Sequence, residues 1–243
     1  MTITLCIETS SAYCSLALAV EDQTYPRHEK LQRRHNEKVL PLLDSLYREA
    51  GVQPRATELI GFGAGPGSFT GVRIAASLAQ GIAMASGCAV VPMAGSEILL
   101  RSGLLAMPAR GIGGPAPTTR WLTVVPSRAD AFYLALYEQA DDAAASVAVV
   151  QQDRLYTQPP QWLEKQTLPL SPSLSLAGPR PQWLPEAMTF EREVDPAANA
   201  AVMVAPVRQL HDRGYSKPAQ EALPIYVEGD SPWQKVAAAS APS

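Results

Sequence analysis

The sequence predicts an α/β protein built as two similar halves. Strand-like and helix-like segments alternate through the first hundred or so residues, a Gly/Pro-rich stretch breaks the pattern at 107–119, and a strand-rich pattern then restarts. The echo lies in the order of elements, because no internal sequence repeat is visible. The predicted layout is a first lobe over 1–105, a linker or loop over 106–119, a second lobe over 120–228 and a disordered tail over 229–243.

The elements follow in order. Residues 3–7 form an apolar run that reads as a buried strand, and residues 14–20 form a second. Between them Glu8-Thr9-Ser10-Ser11 makes a polar turn, which is either an ordinary Ser/Thr turn or a place to hold a phosphate. Residues 24–30 suggest a third strand. Val39, Leu40, Leu43, Leu46 and Tyr47 then recur at helical spacing, with Asn36 as the expected cap, Gly51 as the stop and Pro41 bending the first turns. Residues 59–63 and 89–92 read as strands, and Ser96 is expected to cap a helix running to Leu105. In the second half, 121–125, 131–138, 146–151 and 174–177 read as strands and 159–166 as a short helix. Asp195-Pro196 signals a helix start, with Pro206 as a kink and Gly214 as the stop, and 224–227 is a last extended piece.

The chain is organised around Gly61-Phe62-Gly63-Ala64-Gly65-Pro66-Gly67-Ser68-Phe69-Thr70-Gly71-Val72-Arg73, a glycine-rich turn between a strand and a helix. It does not match the Walker pattern, since no lysine lies between Lys38 and Lys165, nor the dinucleotide fingerprint, whose last glycine falls on Ser68 or Thr70. Two readings stand: a tight turn that lets a helix pack close to its sheet, or a cradle of N–H groups for an anion. In the helix that follows, Gly71, Ala75, Ala79 and Ala83 share one small face, while the segment is apolar nearly all round. A helix apolar on every side needs cover on every side, so a partner surface is expected there.

Composition narrows the function. The net charge is −3 and no basic stripe is present beyond Arg33-Arg34, which argues against a chain that grips nucleic acid alone. Three cysteines without pairing spacing fit a reducing compartment, and no signal peptide or apolar span is visible, so a soluble, cytoplasmic protein without membrane contact is expected. The three histidines, His28, His35 and His211, are not at the i, i+4 spacing that puts two imidazoles on one metal, so no metal site is expected.

Four stretches together resemble the bacterial TsaB family, also called YeaZ: Ile7-Glu8-Thr9-Ser10-Ser11, His35-Asn36-Glu37-Lys38-Val39-Leu40-Pro41, the loop from Gly63 to Ile74, and Pro224-Ile225-Tyr226. The resemblance is strong over roughly 1–100 and thin over 120–228. It implies an actin-like, Hsp70-like fold, with two lobes that each carry a mixed sheet flanked by helices. It also implies a non-catalytic, dimerising subunit of the complex that makes threonylcarbamoyladenosine at position 37 of tRNA. The partners it implies are a TsaD-like catalytic subunit and a TsaE-like ATPase subunit, with a homodimer when the chain is alone and tRNA reached only through the complex. No cofactor is then required by this chain, and ATP and metal belong to the partner subunits.

Carried onto this sequence, the resemblance marks Thr9, Ser10, Ser11, Gly65, Gly67 and Ser68 as a vestigial phosphate site. It marks His35, Val39, Leu43, Gly71, Arg73, Ala75, Ala79 and Ala83 as the subunit interface, and no residue as catalytic. Three positions depart from the family pattern: Glu8 stands where Asp is common, Pro126-Ser127-Arg128 replaces Asp-Ala-Arg, and Tyr226-Val227-Glu228 replaces Tyr-Leu-Arg. The loss of the acid at 126 counts against the competing reading, an independent actin-like ATPase or kinase. A glycoprotease-like peptidase would need a nucleophile with a base, or a metal with ligands, and the sequence displays neither.

Overall fold

The computed structural model describes residues 2–31, 34–107, 118–128, 130–139, 147–164, 166 and 173–227. The expected tail, most of the expected linker, Arg33, Ser146 and Glu228 lie outside the described residues.

Two five-stranded sheets are present among the described residues, and they share one topology. The first holds β1 (Ile3–Glu8), β2 (Tyr13–Val20), β3 (Gln23–Lys30), β4 (Leu59–Gly63) and β5 (Ala89–Met93), in the order β3-β2-β1-β4-β5. The second holds β6 (Thr119–Pro126), β7 (Phe132–Gln139), β8 (Val147–Tyr156), β9 (Ser173–Ala177) and β10 (Glu193–Val194), in the order β10-β9-β6-β7-β8. In each sheet the first three strands in sequence form an antiparallel meander, and the last two add in parallel on the other side of the first. The restarted pattern in the sequence is therefore a repeated topology, and the fold is a two-lobed α/β fold of the actin-like kind.

Helices cover both faces of the first sheet, which is why β1 is buried along its whole length. Ile3, Leu5 and Ile7 point to the side of α1 (His35–Ala50) and α2 (Phe69–Ser86), where they join Val39, Leu43, Leu46, Ala75, Ala79 and Ala83 in one buried cluster. Cys6, with Ala17 and Ala19, faces Met203, Val204 and Val207 on the opposite side. Beyond the short α4 (Gln161–Glu164), those last residues belong to a 3-10 turn (Ala200–Met203) and to α5 (Val204–Asp212). The end of the chain thus crosses back to the first sheet. Lys217 pairs with Val90 by two backbone hydrogen bonds of 2.8 and 2.9 Å, and Ala219 and Ala222 enter the α1/α2 cluster. Conversely α3 (Gly95–Ala106), from the first half of the chain, places Leu100 among Trp121, Tyr137 and Ala177 of the second lobe. The strands of the first sheet come from 3–93 and those of the second from 119–194, but segment 198–222 packs on the first sheet. The physical reason is burial: β1 and β4 need a second cover, and α5 provides it.

Several expected helix ends move. α1 starts at His35 behind Arg34, which makes no side-chain cap, so Asn36 is not the cap residue, whereas Gly51 stops the helix in the left-handed region as expected. α3 starts at Gly95 behind Ala94, and Ser96 uses its hydroxyl elsewhere. Asp195-Pro196 opens no helix; Asn199 caps the 3-10 turn, and α5 is correspondingly short. Pro206 falls in the first turn of α5, where a missing N–H costs nothing. Among the described residues no helix is long and apolar enough to cross a membrane.

Candidate functional site: the interlobe cleft and the outer face of two helices

The loop after β4 is stitched to the turn after β1. Ser68 N–H donates to Ser10 O (2.7 Å), and Thr9 Oγ1 donates to Gly71 O (2.7 Å). Gly95 N–H donates to Gly65 O (2.8 Å), Ala64 N–H to Met93 O (2.9 Å) and Ile225 N–H to Ala64 O (2.7 Å). Ser68 Oγ accepts from Gly71 N–H at 3.4 Å and so caps α2. A Cβ on Gly71 would collide with the Thr9 carbonyl oxygen. The glycine is there for close approach of two backbones, which favours the tight-turn reading of this loop.

Beside this knot lies a cleft of about 1550 Å³ between the lobes. Ser10, Ser11, Gly67 and Ser68 line it; of the six residues marked for phosphate, Thr9 and Gly65 do not, and both are buried behind its wall. Pro126, Ser127 and Arg128 line it from the second lobe, all three exposed, with Asp195 and Pro196 at the same wall. Glu8 is fully buried and turned back, accepting from Ser10 N–H at 2.6 Å. Burial pushes its pKa up, and the hydrogen bonds with Ser10 oppose this only in part. Its carboxyl faces Gly63, where a Cβ would overlap Oε2, and Oε2 has no hydrogen-bond partner. Glu8 therefore braces the turn rather than facing the cleft. Among the described residues no three His, Cys, Asp or Glu side chains converge as a metal site would require.

The residues marked for a subunit interface separate into two groups. Gly71, Ala75, Ala79 and Ala83 are buried within the chain, the alanines at 0–1 % exposure, against its own sheet. His35, Val39 and Leu43 are buried as well, at 3–7 %. The small face is thus core packing, and only Arg73 of that set is exposed. What α1 and α2 leave uncovered is the opposite side: Leu40 (58 %), Phe69 (47 %) and Met84 (64 %), with partly buried Ile74, Leu78 and Ile82 between them. A second small row, Ser77, Gly81 and Ala85, runs along this outer side, and a Cβ on Gly81 would meet nothing within 4 Å. The signal was present in the sequence, but an all-apolar helix does not say which of two small rows faces outward.

Two further groupings were not legible in the sequence. Tyr137 OH, Ser96 Oγ and Asp153 Oδ2 form a chain of hydrogen bonds, 2.8 and 2.6 Å, that ties α3 to β7 and β8. Burial raises Asp153 to about 6. Arg73 lies 3.3 Å over the Phe69 ring, and its Nη2 donates to Tyr226 OH at 3.3 Å, so the extended 224–227 segment is held at the loop rim.

This repeated topology around a cleft defines the chain as a two-lobed α/β protein of the actin-like class. A family model described as TsaD, tRNA N6-adenosine threonylcarbamoyltransferase, matches residues 24–190, more than half of the chain. The tRNA threonylcarbamoyladenosine biosynthesis protein TsaB of Escherichia coli is 26 % identical over 241 residues, covering 96 % of this chain and 97 % of that protein. TsaB of Haemophilus influenzae is 37 % identical over 89 residues, and that match spans only 38 % of its length. The structure of YeaZ from Pseudomonas aeruginosa superposes with a TM-score of 0.74 at 25 % identity, over 93 % of this chain and all of that one. The chain belongs to the TsaB/YeaZ family within this threonylcarbamoyltransferase-related group.

Proposed function

We propose that the chain acts in threonylcarbamoyladenosine formation on tRNA as a non-catalytic subunit. It pairs through the outer side of α1 and α2 with a TsaD-like catalytic subunit. The observation that carries this is the uncovered apolar side formed by Leu40, Phe69 and Met84, with Ser77, Gly81 and Ala85 permitting close approach of another helix. Large apolar side chains clustered at a surface are the usual mark of a binding face. Gly81 adds to this. A glycine in an exposed helix interior costs about 1 kcal/mol relative to alanine, and nothing within the chain requires it. The names of the curated relatives support the pathway.

In this reading ATP and metal chemistry reside in the catalytic and TsaE-like subunits, and tRNA is met through the complex. When alone, the chain buries the same face in a homodimer. The chemistry of the cleft favours a supporting role over a kinase: the acid at the first turn, Glu8, is buried and spent on Ser10, and Pro126 occupies the corresponding turn of the second lobe.

The test is reconstitution. The chain and a TsaD-like subunit are mixed and followed by size-exclusion chromatography with light scattering, and threonylcarbamoyladenosine is measured in tRNA from cells depleted of the chain. The reading requires a stable pair and loss of the modified nucleoside. ATP turnover by the chain alone above the buffer blank, or full modification without it, would sink it.

A further inference from the structure

We propose that the pairing face does not end at the two helices but continues across segment 223–226, and that Arg73 stands at its middle to receive a carboxylate of the TsaD-like partner. This deepens the partner-subunit reading and rests on it.

Arg73 lies on the row of α2 that another helix would approach most closely. Phe69, Arg73, Ser77, Gly81 and Ala85 follow at intervals of four, so they share one side of the helix, and all five are exposed. Arg73 is the one charged residue of α2, and the helix contains no acid. Its guanidinium lies 3.3 Å over the Phe69 ring, and Nη2 donates to Tyr226 OH at 3.3 Å. Two exposed aromatic side chains thus hold a flat cation in place. Among the described residues no carboxylate forms an ion pair with it.

Segment 223–226 carries the apolar surface to the far side of Arg73. Its backbone is anchored at both ends: Ala222 is buried in the α1/α2 cluster, and Ile225 N–H donates to Ala64 O at 2.7 Å. From this anchored backbone Leu223 (60 %), Ile225 (48 %) and Tyr226 (59 %) are all left exposed. Three large apolar side chains within four residues, joined through Arg73 to Phe69, extend the uncovered side of the helices rather than forming a separate patch.

Charge then decides what the partner brings. A partner seated on both Phe69 and segment 223–226 strips water from the guanidinium between them. A cation taken out of water without a counter-ion is costly, and the chain's described residues offer none. The planar guanidinium presents parallel N–H donors that match the two oxygens of a carboxylate. Because it is already stacked and hydrogen-bonded, Arg73 loses little freedom when that carboxylate arrives. Arginine and tyrosine ringed by apolar contacts that exclude water are where binding energy concentrates in an interface.

The experiment is isothermal titration calorimetry of the full chain with the TsaD-like subunit at low and high salt. Arg73→Gln is expected to weaken pairing by about tenfold or more, as loss of a hydrogen bond to a charged group does, and to reduce the salt dependence of pairing. Leu223→Ser is expected to weaken it about tenfold through lost apolar burial. Both positions are exposed, so circular dichroism should stay unchanged. A loss of no more than about fivefold for Arg73→Gln would place Arg73 at a solvated rim, and full-strength pairing by Leu223→Ser would place segment 223–226 outside the interface. Either result overturns the proposal and leaves pairing through α1 and α2 standing. Failure of the parent chain to pair overturns both. Full pairing by Arg73→Gln in a complex that no longer retains tRNA would assign the guanidinium to a phosphate of the tRNA, and it too overturns the proposal.

Discussion

Thr9 and Gly71 lock the two turns at the head of the first sheet: the Thr9 hydroxyl donates to the Gly71 carbonyl at 2.7 Å, and the Gly71 α-carbon lies against the Thr9 carbonyl oxygen. Both residues are buried. The contact leaves no room for a side chain at 71, and it spends the Thr9 hydroxyl that a phosphate would otherwise use. Gly71→Ala is expected to cost about 1–3 kcal/mol through overpacking, and Thr9→Val about 1 kcal/mol by removing a buried hydrogen bond. Urea unfolding checks both, and midpoints within error of the parent would show that the two turns slide freely.

The outer side of α1 and α2 makes an opposite pair of expectations. Gly81→Ala should stabilise the isolated chain by about 1 kcal/mol, because it removes a helix-interior glycine from open space. Leu40→Asp and Met84→Asp should leave the dissociated monomer within about 0.5 kcal/mol of the parent, since both positions are exposed within the chain, yet weaken self-association and pairing with the TsaD-like subunit by about tenfold for every 1.4 kcal/mol lost. Pairing at full strength by the double variant would mean that this side is bare surface.

Substituting the inner side has a different outcome. Ala79 is fully buried against the sheet, so Ala79→Trp is expected to unfold the lobe rather than separate subunits. A folded, monomeric Ala79→Trp chain by circular dichroism and light scattering would contradict the placement of this face.

Asp153 predicts a pH dependence. Its folded pKa, about 6, lies above the ordinary value of 3.8. A raised pKa means that its contribution to stability is fully present below the unfolded value and is lost as pH rises through about 6. The loss is at most about 3 kcal/mol by linkage from that shift. Asp153→Asn keeps an acceptor for Ser96 and removes the charge. It should flatten the unfolding midpoint between pH 4 and 7, whereas an unchanged slope would place the titration elsewhere.

Glu8 follows the same sign. Burial raises its pKa, so its stabilising contribution fades as pH climbs through that raised value. Glu8→Gln retains an acceptor for Ser10 N–H and should raise the thermal midpoint at pH 8 more than at pH 5. A lowered midpoint at both would show that the ionised carboxylate itself supports the turn.

Much was legible from the chain alone. The two halves, the glycine-rich strand-to-helix turn and the stop at Gly51 each rest on local chemistry: periodicity, and glycine in the left-handed region. The family resemblance lay in contiguous motifs. What tertiary structure decided were matters of side and partner. α2 is apolar all round and carries two small rows, 71/75/79/83 and 77/81/85, so periodicity could not choose between them; the sheet beneath Ala75 and Ala79 did. Glu8 reads as a phosphate-turn acid until its neighbours bury it under Ser10. Asp195-Pro196 reads as a helix start, but the chain there spans the cleft on its way back to the first sheet, and the helix begins only where Val204 and Val207 find Cys6 and Ala17 to cover. Ser96, Tyr137 and Asp153 lie far apart in sequence and meet only because α3 packs on the second lobe. Local pattern sets which elements form, and burial against distant segments sets which of their faces remain to act.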